Sequence, residues 1–375
     1  MNFDQEINRQ DTYSFKWERY KGKDILPMWV ADTEFRCAEP IVEALRKRAD
    51  HGVYGYHLPA QYEPANKAVV RWLNDKHNWQ IKPEWIVWTP GVVPAFNIAC
   101  KAYCGEGDKV LIQTPNYPPM LAAPGLNNLI KENVDTVLVD GRWTLDFEQL
   151  EQKASDPKTK LFIMCNPMNP VGTVMSQEEL SKVEAICLKH GVTLCSDEIH
   201  CDLILDETVS HIPAGTLPEI GEQAISLMAA SKTFNVAGLG TSFAIIRDAK
   251  VRAQFTRAAA GHMPWVTFMG LIATEVAFTQ CDDWHQAQLR YLRGNLDYIQ
   301  QELASIDGFN FIRPQATFLA WIDASGLGVD DVQKYMESKG VGPSPGKDFG
   351  WPDHTRINFG CPRSMLEQAI ARLKS

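Results

Sequence analysis

The sequence predicts an α/β protein built on a mostly parallel sheet with helices on both faces, plus a smaller α+β domain. Three observations carry this. From about residue 85 onward, short apolar runs alternate with longer helical patterns. The runs are apolar throughout, as in strands buried on both faces, rather than alternating as in a half-exposed sheet. Both chain ends differ from this middle: they are more polar and mix helical patterns with isolated strands.

In chain order, residues 1–50 hold a polar arm, the stretch ILPMWVADTEF and a helix-like segment, IVEALRKRAD. Strands are then expected at Trp85–Trp88, Val110–Gln113, Thr136–Val139, Leu161–Cys165, Thr193–Ser196, Ala224–Ala229 and Ser242–Ile246. The clearest helix is SQEELSKVEAICLKHG. Its Ser176 and Glu179 match a capping box, and Leu180, Val183, Ile186 and Cys187 form one apolar stripe. Gly191 can end it. After about residue 280 come long polar helical patterns, FLAWID, a helix at Asp330–Lys339 and RINFGCP. The expected division is therefore a large domain over 51–279 and a small one formed by 1–50 with 280–375.

The totals exclude several classes. The 375 residues suffice for about two domains. A net charge of −9 with no basic tract leaves no electrostatic footprint for nucleic acid. No apolar run approaches the length of a membrane span, and MNFDQEINRQ lacks an apolar signal region. The nine cysteines are scattered, several within apolar runs, and read as reduced packing residues of a cytoplasmic protein. One cluster, Cys195, Asp197, His200 and Cys201, could bind metal, but no second ligand group at typical spacing accompanies it, so no metal is expected.

Ligands of open α/β sheets bind beyond the carboxyl ends of the strands. Four polar features stand there. In WTPGVVPAFNIAC a strand ends in a Gly turn, and Pro94 suits the first turn of a helix. Free N–H groups at such a start favour an anion, phosphate above all. In CNPMNPVGT, Asn166 and Asn169 leave an apolar strand among prolines, which read as a turn or as a means of fixing the Asn169 amide. In LCSDEIHCD, Asp197 ends a strand, either as a cap or as the counter-charge of a cationic ring nitrogen. Finally, Lys232 in SLMAASKTFNVAG follows an apolar run without polar company. A phosphate turn, a fixed Asn, a buried Asp and a buried Lys are what pyridoxal phosphate requires. A carboxylate about 4 Å from a cation contributes about 4 kcal/mol at an effective dielectric near 20. That is roughly three pKa units, enough to hold a pyridinium charged at neutral pH.

The stretches LPMWVADTEF, HGVYGY, NPMNPVG, SDEIHCDL, SKTFNVAGL and RINFGCPRS, in this order, resemble the fold-type I, aspartate-aminotransferase-like pyridoxal-phosphate enzymes. Within these, the chain is similar to the MalY/PatB-type C–S β-lyases, which include cystathionine β-lyases. The resemblance implies that Lys232 is the Schiff-base lysine, that Asp197 partners the pyridine nitrogen and that Asn169 donates to the ring's phenolic oxygen. It implies that Tyr117 stacks on the ring, that Gly91, Val92 and Val93 offer N–H groups to the phosphate, and that Ser231 adds a hydroxyl. It makes Tyr56 the tyrosine that reaches a neighbouring subunit's phosphate, hence a homodimer with shared sites. Arg356 becomes the grip on the substrate's α-carboxylate, where a fork of donors suits a carboxylate. His200 falls where many relatives carry a tyrosine near the ring, and Trp29 on the leaving-group side. Two positions depart from the aspartate-aminotransferase pattern: Ala229 replaces a phosphate-binding serine and Gly240 an arginine.

The expected reaction is α,β-elimination from a cysteine thioether, yielding pyruvate, ammonia and a thiol. An aminotransferase shares every step up to the carbanion and is the first alternative. A low-turnover pyridoxal-phosphate-binding regulatory protein and a zinc-binding protein are the others.

Overall fold

The computed structural model describes residues 1–375. A two-residue strand, β1 (Leu26–Pro27), precedes the main sheet, whose strands are β2 (Ile86–Thr89), β3 (Lys109–Thr114), β4 (Ile130–Val139), β5 (Arg142–Leu145), β6 (Thr159–Cys165), β7 (Thr193–Asp197), β8 (Ile225–Met228) and β9 (Ser242–Ile245). Their spatial order is β2-β9-β8-β7-β6-β3-β4-β5. Neighbours from β8 to β4 are parallel. Only β9 and the edge strand β5 run against their neighbours.

The apolar runs are strands because both faces of the sheet are covered. On β6, Leu161, Ile163 and Cys165 pack into one core with the helix Val92–Tyr103. Phe162 and Met164, pointing the other way, join a second core with Leu180, Val183, Ile186 and Cys187 of the helix Gln177–His190. That helix carries the expected capping box from Ser176 to Glu179, and Gly191 ends it in the left-handed conformation.

The expected strands fall on β2, β3, β4, β6, β7, β8 and β9 with shifts at their ends. Trp85 lies in a 3₁₀ turn rather than in β2. β4 begins at Ile130, ahead of the expected Thr136, because Lys131, Glu132, Asn133 and Asp135 break the apolar signal near the sheet's edge. Its antiparallel partner β5 is only 4 residues long and has no apolar run to announce it.

A second sheet takes β10 (Asn310–Phe311), β11 (Leu319–Asp323), β13 (Ser344–Pro345) and β14 (His354–Asn358), all antiparallel in the order β10-β11-β14-β13. The short β12 (Val341–Gly342) pairs with β1, joining the N-terminal arm to the C-terminal part. The largest apolar core crosses between the two sheets, from Phe3 and Met28 through Phe234 and Leu271 to Phe318 and Leu373. The helix Glu39–Asp50 packs against the helix Phe268–Gln280.

Candidate active site

In the sheet register Cys165 is opposite Asp197 and Asp197 is opposite Leu227. The segments that leave β6, β7 and β8 therefore emerge at one edge: the Asn166–Pro170 loop, Asp197 with its loop, and the turn bearing Lys232. A cavity of about 560 Å³ lies there, closed on its other sides by the N-terminal arm and by β13–β14. It is lined by Lys232, Ser231, Asn169, His200 and Tyr117 from the large sheet's loops. Gly91, Val92 and Val93 line it at the start of the helix Val92–Tyr103, with Pro94 in that helix's first turn. Trp29 and Arg356 complete the set from the other side.

Lys232 is half-buried, and its Nζ donates to the carbonyl of Ala31 at 2.6 Å. Burial lowers its pKa to about 8. The charges of Asp32 and Asp197 oppose this and that of Arg356 adds to it. Asp197 is fully buried, and burial raises its carboxyl to about 6 against the bonds it accepts. Those bonds come from the Tyr117 hydroxyl at 2.5 Å and the Ile199 N–H at 3.2 Å.

Arg356 lies in the middle of β14, between Trp321 and Ser344. Its Nη1 donates to Asn169 Oδ1 at 2.8 Å, and its Nη2 to the Trp29 carbonyl at 2.6 Å and Ser344 Oγ at 3.1 Å. The buried Nε has no partner, and the guanidinium lies over the Phe349 ring at 4.7 Å. Burial lowers its pKa to about 9, which leaves it charged at pH 7. His200 is buried with Nδ1 unpartnered, and burial drives its pKa well below the ordinary value, so the ring is neutral.

Two expected members stand apart from this cavity. Asp197 does not line it. Tyr117 lies between, and its hydroxyl takes the carboxylate oxygen rather than leaving it to a ring nitrogen. Tyr56 lies on the surface, 98% exposed, edge-on to Trp265. The metal cluster suggested by sequence proximity does not form. Cys195 packs in the core beside the helix Val92–Tyr103 and Cys201 in the largest core. The ligand atoms that do approach one another are those of His77, Cys201 and Asp202. There the Asp202 carboxylate accepts hydrogen bonds from Trp72 and His77.

Some contacts leave no trace in the sequence. The carbonyls of Trp29 and Ala31 are backbone atoms, silent in any side-chain pattern. Ser344 sits between two prolines in GPSPGKD, an ordinary turn by composition. The parallel pairing of β1 with β12 and the Ser344 Oγ bond to the Trp29 carbonyl at 2.8 Å bring these two regions together.

This arrangement is that of a cofactor-dependent enzyme with a lysine at its centre. The chain belongs to the aminotransferase class I and II family, whose model matches residues 30–373. It is 36% identical over 393 aligned positions to the cystathionine beta-lyase PatB of Bacillus subtilis, covering 100% of this chain and 99% of that protein. A crystal structure of OvoB superimposes with a TM-score of 0.96 at 41% identity, covering 100% of this chain and 98% of that one. Cystalysin from Treponema denticola, whose crystal structure contains pyridoxal 5'-phosphate, superimposes with a TM-score of 0.93 at 32% identity, covering 99% and 97%.

Proposed function

We propose that this chain is a pyridoxal-phosphate-dependent C–S β-lyase. It takes a cysteine thioether, removes the Cα proton and expels the sulfur from Cβ as a thiol. The remaining three-carbon unit, with one water, becomes pyruvate and ammonia.

The donor set fits the cofactor. The N–H groups of Gly91, Val92 and Val93 at a helix start suit a phosphate, with the Ser231 hydroxyl beside them. Lys232 offers an amine to the aldehyde, Asn169 its amide nitrogen to the phenolic oxygen, and Asp197 a buried charge to the ring nitrogen. To serve the ring nitrogen, Asp197 would have to release the Tyr117 hydroxyl that it accepts here, and Tyr117, which lines the cavity, would then be the aromatic neighbour of the cofactor. When bound, the cofactor supplies an electron sink for the pair released from Cα.

The chain's own residues do the rest. Lys232, with its pKa lowered to about 8, can both take and return a proton near neutral pH. Arg356 holds the substrate's α-carboxylate, its fork fixed by Asn169, the Trp29 carbonyl and Ser344. His200, neutral and buried, lines the cavity and would add no charge beside the cofactor.

One observation carries the proposal. A lysine and an arginine, both with pKa values lowered by burial, line one cavity at the carboxyl edge of parallel strands. The experiment supplies cystathionine with no keto acid. Pyruvate and free thiol should appear in equal amounts, and Lys232→Ala should abolish both. A protein that turns over only when keto acid is added is an aminotransferase, and one that binds the cofactor but turns over neither way is a regulatory binder.

The proposal includes a homodimer in the cytoplasm. Tyr56, Tyr54, Leu58 and Trp265 are large exposed hydrophobics gathered on one face, a surface suited to burial against a second copy. There Tyr56 would meet the partner's phosphate. No helix is long and apolar enough to cross a membrane, and all nine cysteines are free thiols, as in a reducing compartment.

A further inference from the structure

Residues 29–35 belong to no helix or strand, yet both cations of the site reach them. Every carbonyl from Trp29 to Thr33 accepts a hydrogen bond from a side chain. Lys232 takes that of Ala31, and Arg356 with Ser344 takes that of Trp29. Lys16 reaches the Asp32 carbonyl at 3.3 Å and Arg9 that of Thr33 at 3.4 Å. The shorter bonds to the remaining carbonyls come from two asparagines that the proposed chemistry leaves unused, Asn235 and Asn358.

Asn235 stands three residues after Lys232, on a turn closed by the Phe234 N–H to the Ala230 carbonyl and the Val236 N–H to that of Ser231. Its φ of 57° lies in the left-handed region, which asparagine tolerates. Its Nδ2 donates to the carbonyls of Thr33 at 3.0 Å and Phe35 at 2.8 Å, and its Oδ1 accepts the Thr33 N–H at 3.2 Å. Asn358 stands two residues after Arg356 on β14, on the same face, and is buried. Its Nδ2 donates to the carbonyls of Val30 at 2.5 Å and Asp32 at 2.6 Å, and its Oδ1 accepts the Gly360 N–H at 2.8 Å. The Asn358 bonds therefore flank Ala31, whose carbonyl holds the Lys232 amine, while the Asn235 bonds tie the same strip to the turn that carries Lys232.

We infer that Asn235 and Asn358 are positioning residues: through the 29–35 strip they set where the Lys232 amine stands relative to a carboxylate held by Arg356. This rests on the roles proposed for Lys232 and Arg356. A carbonyl locates an amine only as well as it is itself fixed, and a proton-transfer group displaced by about 1 Å can cost about a hundredfold in rate. Arg356 depends less on the two asparagines, because Asn169 and Ser344 also hold its fork.

The test uses Asn235→Gly, which keeps the left-handed backbone accessible, Asn358→Ala and the double variant. Three quantities are measured. The first is exchange of the α-hydrogen of L-alanine in D2O by the cofactor-loaded protein, which reads proton transfer without any C–S bond. The second is the rate at which cofactor-free protein captures pyridoxal phosphate, followed by absorbance. The third is the dissociation constant of 3-(methylthio)propionate, a carboxylate without an amine. Each single variant should slow exchange and capture by about tenfold and leave carboxylate binding within about twofold. The double variant should be little slower than either single one, because both act on one strip. If the two effects multiply, if exchange is unchanged, or if all three quantities worsen by a common factor, the inference is overturned. If wild type exchanges the α-hydrogen of alanine but releases no pyruvate from cystathionine, the lyase reading fails and the inference stands.

Discussion

Asp197, fully buried, and Lys232, half-buried, are both costly to hold as ions away from water. For Asp197 the carboxyl is raised from 3.8 to about 6. Between those values the folded chain holds a proton that the unfolded chain has lost, so stability from this group falls as pH rises through that window. For Lys232 the amine is lowered from 10.5 to about 8. There the unfolded chain holds the extra proton, so the cost of the charge is present below pH 8 and lifts as pH rises towards 10.5. The cofactor-free Asp197→Asn variant should therefore melt higher than wild type at pH 7.5, by about 2–4 °C. That advantage should shrink as pH falls from 6 to 4, and thermal melts at three pH values read it directly. In the loaded enzyme the order reverses. Losing about 4 kcal/mol of support for a ring cation corresponds to about a thousandfold in pyruvate production. Tyr117→Phe keeps the aromatic face and removes only a hydroxyl, so it should cost far less. At this scale the sequence made legible the positions of Asp197, Asn169 and Lys232 at or just beyond strand ends. It was least legible at Tyr117, whose contact with Asp197 depends on a chain path that no local pattern encodes.

The elements were legible wherever local chemistry and burial agree. The helix Gln177–His190 announces its start by the Ser176–Glu179 box, its buried face by a 3.6-residue stripe and its end by Gly191. β4 was half hidden because an edge position tolerates polar residues. Gly270 gave no signal, yet it matters. It lies in the first turn of the helix Phe268–Gln280, and a Cβ there would collide with the Thr241 side chain and come within 2.9 Å of the Leu239 carbonyl. Thr241 lines the cavity. Gly270→Ala should cost about 1–3 kcal/mol in urea denaturation and weaken cofactor binding, because the clash pushes on the site's wall. Lys16 offers a second case. Its amine is buried against Glu34, with Arg9 on the same carboxylate. Lys16→Met leaves Glu34 only partly compensated and should cost about 3 kcal/mol.

At the scale of the whole molecule, the division into 51–279 and the two chain ends remains our proposal for the working units. The largest core runs through both, from Met28 to Phe234 to Phe318. The exposed face around Tyr56 and Trp265 belongs to this scale as well. On the proposed dimer, Trp265→Glu should lower the sedimentation coefficient towards that of a monomer and reduce lyase activity with it. A monomer of full activity would remove Tyr56 from the site. The fold class was legible because strand–helix alternation with fully apolar strands admits few architectures. The junction of the N-terminal arm with the C-terminal part was not, since it includes the pairing of β1 with β12, two residues each.

That junction has a practical consequence. The main-chain oxygens of Trp29, Val30, Ala31 and Asp32 receive Arg356, Asn358, Lys232 and again Asn358. Exchanging side chains along this stretch removes none of those oxygens, so an alanine scan would report on the Trp29 and Asp32 side chains but not on the main-chain contacts. Adding or deleting a single residue would shift all of them at once, and the two cations of the site would lose their footing together.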